Sequence, residues 1–186
     1  MAEGQNYRLQ KTVVLVGMMG SGKTAIGRSL AARLDVPFVD SDAAIEEAAA
    51  ATIAEIFERD GEAFFRKREA EVLRRLLSGP PGIVSTGGGA FLADENREAI
   101  AEMGVAVWLD ADLGTLWERV RHKDTRPLLR TPDPKATLAA IFEARTPVYR
   151  LAGLRIGVDE HASIEQTTQS VIDMLQTRPD ILETFA

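Results

Sequence analysis

The sequence predicts a doubly wound α/β fold, in which helices cover both faces of a parallel sheet. Five short apolar runs without polar alternation lie at 12–16, 37–40, 83–85, 105–109 and 154–158, and such runs are typical of strands buried on both faces. Segments with helical periodicity separate them, an alternation that favours a parallel sheet. The chain has 186 residues, 45% of them apolar, which is enough for one domain with a large core.

The predicted helices carry apolar residues three and four positions apart, which places those residues on one face. In the first helix, Ile26, Leu30 and Leu34 follow this spacing. By the same pattern, helices are predicted at 24–34, 43–54, 62–77, 94–103, 112–121, 135–149 and 163–176.

Two segments interrupt the alternation of strand and helix. More than forty residues separate the second and third predicted strands, which is longer than a plain crossover needs. We therefore expect an inserted helical subdomain at about 42–78. The segment KDTRPLLRTPDP, which begins at Lys123, is rich in Pro, Asp and Arg and has no periodicity. It predicts a loop able to move, a lid at about 121–134.

Composition argues against several classes of protein. The net charge of −6 disfavours a general nucleic-acid binder. There are no cysteines, and the two histidines, His122 and His161, lie far apart in the sequence, so disulfides, thiolate catalysis and Cys-based zinc sites are excluded. The start of the chain resembles no signal peptide, and no apolar run reaches about eighteen residues. We expect a cytoplasmic protein that binds neither nucleic acid nor membrane.

Residues 17–24 read GMMGSGKT and match G-x-x-x-x-G-K-[ST] between a predicted strand and a predicted helix. The glycines let backbone N–H groups turn toward phosphate oxygens, and the helix N-terminus adds partial positive charge. Lys23 can reach the β- and γ-phosphates of a nucleotide, and the Thr24 hydroxyl can bind Mg²⁺. The structural alternative is a glycine-rich turn with a surface lysine.

Several acids stand at the predicted ligand edge of the sheet, where the carboxyl ends of the strands meet. Asp40 and Asp110 each follow an apolar run, and the residues alone do not decide which of them serves the metal. Asp110 or Asp112 can equally be a helix N-cap. Asp42 lies two residues after Asp40, so the two carboxylates can point to the same side, one toward a metal and one toward a substrate hydroxyl. A cap of the next helix is the alternative for this pair as well.

The second substrate is expected beside three glycines and two arginines. Three consecutive glycines at 87–89 suggest the close approach of a ligand to the backbone, and a tight turn is the alternative. Spacing alone gives Arg66 an ordinary role in helix ion pairs with Glu62 and Glu69. Arg150, at the end of a helix, has an ordinary role in interacting with the helix dipole.

The ordered set GMMGSGKT, FVDSD, FFRKRE, STGGGA, RPLL and PVYR resembles the shikimate kinase family, from about residue 13 to residue 158 and into the last helix. The resemblance implies a three-layer P-loop fold like that of the nucleoside monophosphate kinases. Such a fold has a five-stranded parallel sheet, a helical substrate-binding insert and a lid. It also implies transfer of the γ-phosphate of ATP to the 3-hydroxyl of shikimate in aromatic amino acid biosynthesis, with Mg²⁺ as cofactor and a monomeric chain.

For the acceptor, the resemblance implies that Asp42 binds the substrate hydroxyls and is the candidate base. Arg66 and Arg150 correspond to the arginines that bind the substrate carboxylate, and Glu69 corresponds to an acid near the substrate. The remaining acceptor contacts implied are the three glycines, Gly87, Gly88 and Gly89.

For the donor, the resemblance implies that Asp40 lies near Mg²⁺ together with Thr24. Arg126 corresponds to the lid arginine that reaches the phosphates, and Arg119 to an arginine that flanks adenine. The stretch 158–163 offers no firm adenine contact, and we select Gln169 on the last helix instead. The phosphate-binding residues implied are Gly20, Ser21, Gly22, Lys23, Thr24 and Ala25.

Three other functions fit part of the pattern. A small-molecule kinase of the same architecture, such as a gluconate kinase, would share Lys23 and Thr24 but has no need for this set of acids, glycines and arginines. A nucleoside monophosphate kinase is a further alternative. A non-catalytic nucleotide-binding module is the third, although its usual losses, the lysine, the acid pair or the lid arginine, are all present here.

Overall fold

A computed structural model of the chain describes residues 5–123 and 127–185. The strands, in chain order, are β1 (Asn6–Leu9), β2 (Thr12–Val16), β3 (Phe38–Asp40), β4 (Ile83–Ser85), β5 (Gly104–Ala111), β6 (Leu154–Val158) and β7 (Leu182–Phe185). The helices are α1 (Lys23–Leu34), α2 (Ser41–Ala49), α3 (Ile53–Asp60), α4 (Glu62–Ser78), α5 (Asp94–Met103), α6 (Leu113–Val120), α7 (Pro134–Tyr149) and α8 (Ile164–Gln176).

Five strands form a parallel sheet in the order β3-β4-β2-β5-β6, as the sequence predicts. Every residue of β2 is buried, because this strand lies at the centre, with Val13 opposite both Ile83 of β4 and Val105 of β5. From β2 the chain moves to β3 at one edge of the sheet, and from β3 it proceeds in the opposite direction across the sheet, through β4, β5 and β6. Because each crossover is right-handed, this change of direction puts helices on both faces of the sheet. Helix α1 packs against α8, and α4 packs against α5, which completes a three-layer architecture.

The insert between β3 and β4 contains α2, α3 and α4, which share a small apolar core of Ile45, Ile56, Phe65 and Val72. The prediction of one helix over 43–54 is wrong. Helix α2 ends at Ala50, whose φ of 49° lies in the left-handed region. Helix α3 then begins after Thr52, whose hydroxyl accepts from the Glu55 amide in a capping box.

A second sheet of two strands lies outside the sequence prediction, which assigned no role to either end of the chain. Strands β1 and β7 pair antiparallel, with Leu9 opposite Leu182. Ile181 and Leu182 are buried in the main core, so the ribbon joins the two ends of the chain beside α1 and α8. In the part of the chain that the model describes, no helix combines the length and apolarity required to cross a membrane.

Candidate active site

A crevice of about 650 Å³ lies at the carboxyl ends of the central strands. It is lined on one side by the loop between β2 and α1 and on the other by residues that follow β3 and β4. Its walls include Lys23, Thr24, Asp40, Asp42, Gly87 and Gly88. The geometry therefore brings the glycine-rich loop and the paired acids into one cavity, as the strand-edge argument requires.

The phosphate loop is shaped by glycines at positions that other residues would strain. Gly17 has a φ of 146°, and a Cβ there would lie 2.8 Å from the Leu109 carbonyl oxygen. Gly22 has a φ of 96° and precedes α1 without any side-chain cap. The N-terminal amides of α1 are thus left for an anionic ligand. Lys23 Nζ donates to the carbonyl oxygens of Gly17, at 2.7 Å, and Met18, at 3.0 Å, which holds the ammonium group across the loop.

The other predicted donor residues lie around this loop. Thr24 and Ala25 are exposed on the first turn of α1 and line the crevice. Arg119, on α6, donates from Nη1 to the Gly20 carbonyl at 3.1 Å, so its guanidinium lies beside the loop. The hydroxyl of Ser21 is buried and meets no hydrogen-bond partner within the described ranges.

Asp40 combines the two roles that the sequence left open. Its Oδ1 accepts from the amides of Asp42, at 2.9 Å, and Ala43, at 3.3 Å, and so caps α2. Asp40 also lines the crevice. Because one oxygen serves both caps, the second oxygen is available to a metal or a water. Capping and ligand binding are therefore compatible at this residue.

Asp42 is half-buried in the wall of the crevice. Burial and the nearby Asp40 carboxylate raise its pKa, against the opposing charges of Lys23 and Arg66. A Cβ at Gly87 would lie 2.6 Å from Asp42 Oδ1, so glycine is required for this carboxylate to approach the turn after β4. Asp42 thus lies between the cation of the phosphate loop and the cation of the insert.

The acids at the end of β5 lie apart from this cluster. Asp112 caps α6 by accepting from the Thr115 amide at 2.7 Å. Asp110, within β5, pairs with Arg155, with 2.5 Å to its Nη2. The capping interpretation is confirmed for Asp112, and of the two metal candidates, Asp40 and Asp110, it is Asp40 that lines the crevice.

Arg66 has two acidic partners of different character. Glu62 lies at 3.6 Å and is exposed, whereas Glu69 lies at 2.9 Å with 2% of its side chain exposed. Burial raises the pKa of Glu69, and the hydrogen bond from Arg66 opposes that rise. A Cβ at Gly89 would lie 2.6 Å from Arg66 Nη2. The contact with Glu62 is an ordinary surface ion pair, whereas Glu69 is buried. The buried contact with Glu69 holds Arg66 against the triple glycine.

The structure does not bring Arg150 to the crevice. Arg150 lies in a separate cavity of about 280 Å³ with Asp110 and Arg155. The arginine beside the triple glycine is instead Arg145, whose Nη1 would lie 2.9 Å from a Cβ at Gly88. Arg145 precedes the buried Tyr149 by four residues, so both lie on one face of α7, and Arg150 is turned about 100° away from it. This four-residue spacing is visible in the sequence, but it identifies Arg145 only once Tyr149 is known to face the glycine turn.

The structure also places Gln169 away from the crevice. Its side chain accepts from Arg33 Nη2 at 2.6 Å and donates to Asp173 at 2.7 Å. The stretch 158–163, for which the sequence offered no firm contact, contributes Val158, Ala162 and Ser163 to the cavity wall, and the first turn of α8 adds Ile164 and Thr167. Arg126 lies outside the described residues, and Lys123, just before the gap, lines the crevice.

Comparison with known proteins separates the fold from the family. A gluconokinase from Sinorhizobium meliloti shares the fold, with a TM-score of 0.54, 19% identity and coverage of 91% of this chain and 96% of its own. At 19% identity, this similarity supports a shared fold and nothing further.

Much closer similarity exists to shikimate kinases. The family model described as shikimate kinase matches residues 19–176. A shikimate kinase from Ruegeria pomeroyi is 64% identical over 181 residues, covering 97% of this chain and 93% of its own. The structure of an Acinetobacter baumannii shikimate kinase in complex with shikimate has a TM-score of 0.83 and 36% identity, with coverage of 90% of this chain and 93% of its own. The chain therefore belongs to the shikimate kinase family.

Proposed function

We propose that this protein transfers the γ-phosphate of ATP to the 3-hydroxyl of shikimate, which yields shikimate 3-phosphate and ADP in the route to chorismate and the aromatic amino acids. The observation that carries this proposal is that Lys23 and Asp42 line one cavity, with Arg66 close enough to affect the pKa of Asp42. The site therefore combines a lysine that can bind phosphate, a carboxylate that can accept from substrate hydroxyls and an arginine that can bind the substrate carboxylate.

The acceptor is recognised by charge-assisted hydrogen bonds. Shikimate is a trihydroxy carboxylate, and the guanidinium groups of Arg66 and Arg145 flank the triple glycine. Paired guanidinium groups match the planar geometry of a carboxylate. Asp42 can then accept a hydrogen bond from a ring hydroxyl while Gly87 and Gly88 allow the ring to approach the backbone. We assign the insert at about 42–78 as the acceptor-binding subdomain on this basis.

Phosphoryl transfer at this site depends on position and charge. The shikimate oxygen forms a bond to the γ-phosphorus as the bond from that phosphorus to the β–γ bridging oxygen breaks. The hydroxyl proton leaves toward Asp42, whose raised pKa makes its carboxylate a stronger proton acceptor than that of an ordinary aspartate. Lys23 and the α1 amides offset the charge on the phosphates. Arg126 and the lid at about 121–134 are proposed to close over ATP and exclude water.

The donor set at the crevice fits Mg²⁺. Thr24 and Asp40 supply oxygen atoms only, which a hard divalent cation prefers. Among residues 5–123 and 127–185, no group of three or more acids and histidines could hold a metal by protein ligands alone. This agrees with an ion that takes most of its ligands from phosphate and water. When bound, Mg²⁺ would supply charge neutralisation on the β- and γ-phosphates. In line with the family resemblance, we propose a monomer that acts in the cytoplasm.

The deciding experiment measures ADP release by the purified chain with Mg²⁺-ATP and one acceptor at a time: shikimate, gluconate, AMP or CMP. We expect release only with shikimate, and mass spectrometry of the product should show one added phosphate. Turnover with gluconate but not shikimate would instead support the gluconate kinase alternative. Binding of ATP without transfer to any acceptor would support the non-catalytic module.

A further inference from the structure

We propose that Tyr149 is a positioning residue for the acceptor: its one hydroxyl holds both the Gly88 peptide and the Arg145 guanidinium in the arrangement that receives the substrate carboxylate. This inference rests on the proposed function and adds to it a residue that does not touch the substrate itself.

Tyr149 is held rigidly beneath the crevice. Its side chain is 1% exposed, and its ring stacks against Phe91 and Trp108, with centroids 6.5 Å and 6.3 Å away. From this packed position the hydroxyl donates to the Gly88 carbonyl at 2.8 Å. The ring thus anchors the middle glycine of the turn to α7, an element far from it in the sequence.

Arg145 lies one helical turn earlier on α7, and its guanidinium lies against the same glycine: Nη1 would be 2.9 Å from a Cβ at Gly88. Because a phenol has one hydrogen to donate, and Gly88 receives it, the phenolic oxygen can only act as an acceptor toward this guanidinium. Burial raises the pKa of Tyr149, although its contact with Arg145 opposes that rise. The phenol therefore keeps its proton at neutral pH, and with it the hydrogen bond to the Gly88 carbonyl.

The bond to Gly88 sets the orientation of a whole peptide plane. The described backbone contains no cis peptide, and in a trans peptide the N–H of Gly89 points opposite to the carbonyl of Gly88. With that carbonyl directed to the buried Tyr149, the Gly89 amide is directed away from it. Further along the turn, Asn96 and Arg97 bind the carbonyls of Ala90 and Phe91, at 2.8 Å and 2.7 Å. Asn96 and Arg97 belong to α5, whereas Tyr149 connects the turn to α7, the helix that carries Arg145.

The expected effect falls on the acceptor and spares the donor. Tyr149 contacts Gly88 and Arg145, whereas the phosphate loop is held by its own backbone and Lys23. Without the hydroxyl, the Arg145 guanidinium and the Gly88 peptide can adopt other orientations. Because these groups are then no longer preorganised, the substrate carboxylate binds more weakly.

The test compares Tyr149→Phe with Tyr7→Phe, which removes the other tyrosine hydroxyl of the chain from β1, where it donates to Gln5. Phenylalanine keeps the ring contacts of Tyr149. The loss of one net hydrogen bond corresponds to a rise of about 3- to 10-fold in KM for shikimate, with KM for ATP unchanged. Tyr7→Phe should match the wild type in both constants. Thermal unfolding confirms that each variant is folded at the assay temperature.

A second measurement examines the link to Arg145. If Tyr149 acts through Arg145, then Tyr149→Phe in an Arg145→Lys background should raise KM for shikimate less than it does in the wild type. An unchanged KM for shikimate in Tyr149→Phe overturns the inference, as does an equal rise in both KM values or an identical effect in the two backgrounds. If the wild type itself fails to phosphorylate shikimate, the proposed function is the part that fails; wild-type turnover with an unaffected Tyr149→Phe isolates the failure to Tyr149.

Discussion

The two halves of the crevice are built in different ways. The donor half comes from one contiguous segment, 17–25, in which backbone amides, glycine conformations and Lys23 lie within a few residues of each other. The acceptor half combines Asp42 from α2, Arg66 from α4, the glycine turn after β4 and Arg145 from α7.

This difference decides how each half responds to change. The phosphate loop takes its shape from its own glycines and backbone, with two hydrogen bonds from Lys23, so removal of the lysine takes away a charge and contacts within one segment. On the acceptor side the contacts join remote elements: Glu69 binds Arg66, Tyr149 binds the Gly88 carbonyl, and Gly87 makes room for Asp42. Substitution of Lys23 should therefore affect the rate, whereas substitution of the acceptor arginines should affect shikimate binding.

The largest effect is expected in the donor half. Lys23→Ala should lower kcat about 100- to 1000-fold, because a cation aimed at the transferring phosphate is lost, while KM for shikimate stays near the wild-type value. Steady-state ADP release measures both constants. Lys67→Ala, on an exposed position of α4, is the matched control. Near-normal turnover of Lys23→Ala would show that the loop works without its lysine.

The next effect distinguishes two arginines of α7. Arg145→Ala should lower kcat/KM for shikimate about 10- to 100-fold, since charge-assisted bonds to the acceptor carboxylate are lost. Arg150→Ala should match the wild type, because Arg150 lies in a separate cavity with Asp110 and Arg155. Titration of shikimate against each variant measures the effect. A larger effect of Arg150→Ala than of Arg145→Ala would show that Arg150 binds the acceptor.

A smaller effect is expected on the metal requirement. Asp40→Asn keeps a side chain that caps helices as well as aspartate does but removes its charge. We expect the Mg²⁺ concentration for half-maximal turnover to rise about 10-fold. Asp110→Asn serves as the control, since its carboxylate is committed to Arg155. Equal Mg²⁺ requirements for both variants and the wild type would exclude Asp40 from the metal site.

The smallest effect concerns stability and pH. The pKa of Glu69 is raised in the folded chain, so its folded form binds a proton more tightly than its unfolded form does. The contribution of Glu69 to the free energy of unfolding is most favourable below the ordinary pKa of a glutamate. This contribution is lost as the pH rises through the raised pKa of the folded chain. The free energy of unfolding of the wild type minus that of Glu69→Gln should fall across this interval. Urea denaturation over a pH series measures the difference, and a value independent of pH would contradict the prediction.

Much of the fold could be predicted because its signals are local. The strands and most helices were identified from short apolar runs and helical periodicity. The break between α2 and α3 was missed because Ala50 takes a left-handed conformation that its residue type does not announce. The ribbon of β1 and β7 was missed because its two strands are short and lie at opposite ends of the chain.

The residues of the site divide in the same way. Lys23, Thr24 and Asp40 could be selected from the sequence, because a phosphate loop and the end of a strand are local features. The structure places Gln169 and Arg150 away from the crevice: Gln169 contacts Arg33 and Asp173, and Arg150, which follows α7, lies in a separate cavity. The stretch 158–163, of which Val158, Ala162 and Ser163 line the cavity, has no periodicity or motif that would reveal it.

By itself the sequence determined the parallel α/β architecture, the phosphate loop and the family, since each depends on the order of neighbouring residues along the chain. Only the tertiary structure decided which arginine of α7 meets the triple glycine, which acid stays at the crevice and which hydroxyl joins Gly88 to Arg145. Those choices depend on distances between side chains from elements that are remote in sequence, and such distances exist only after the core has packed.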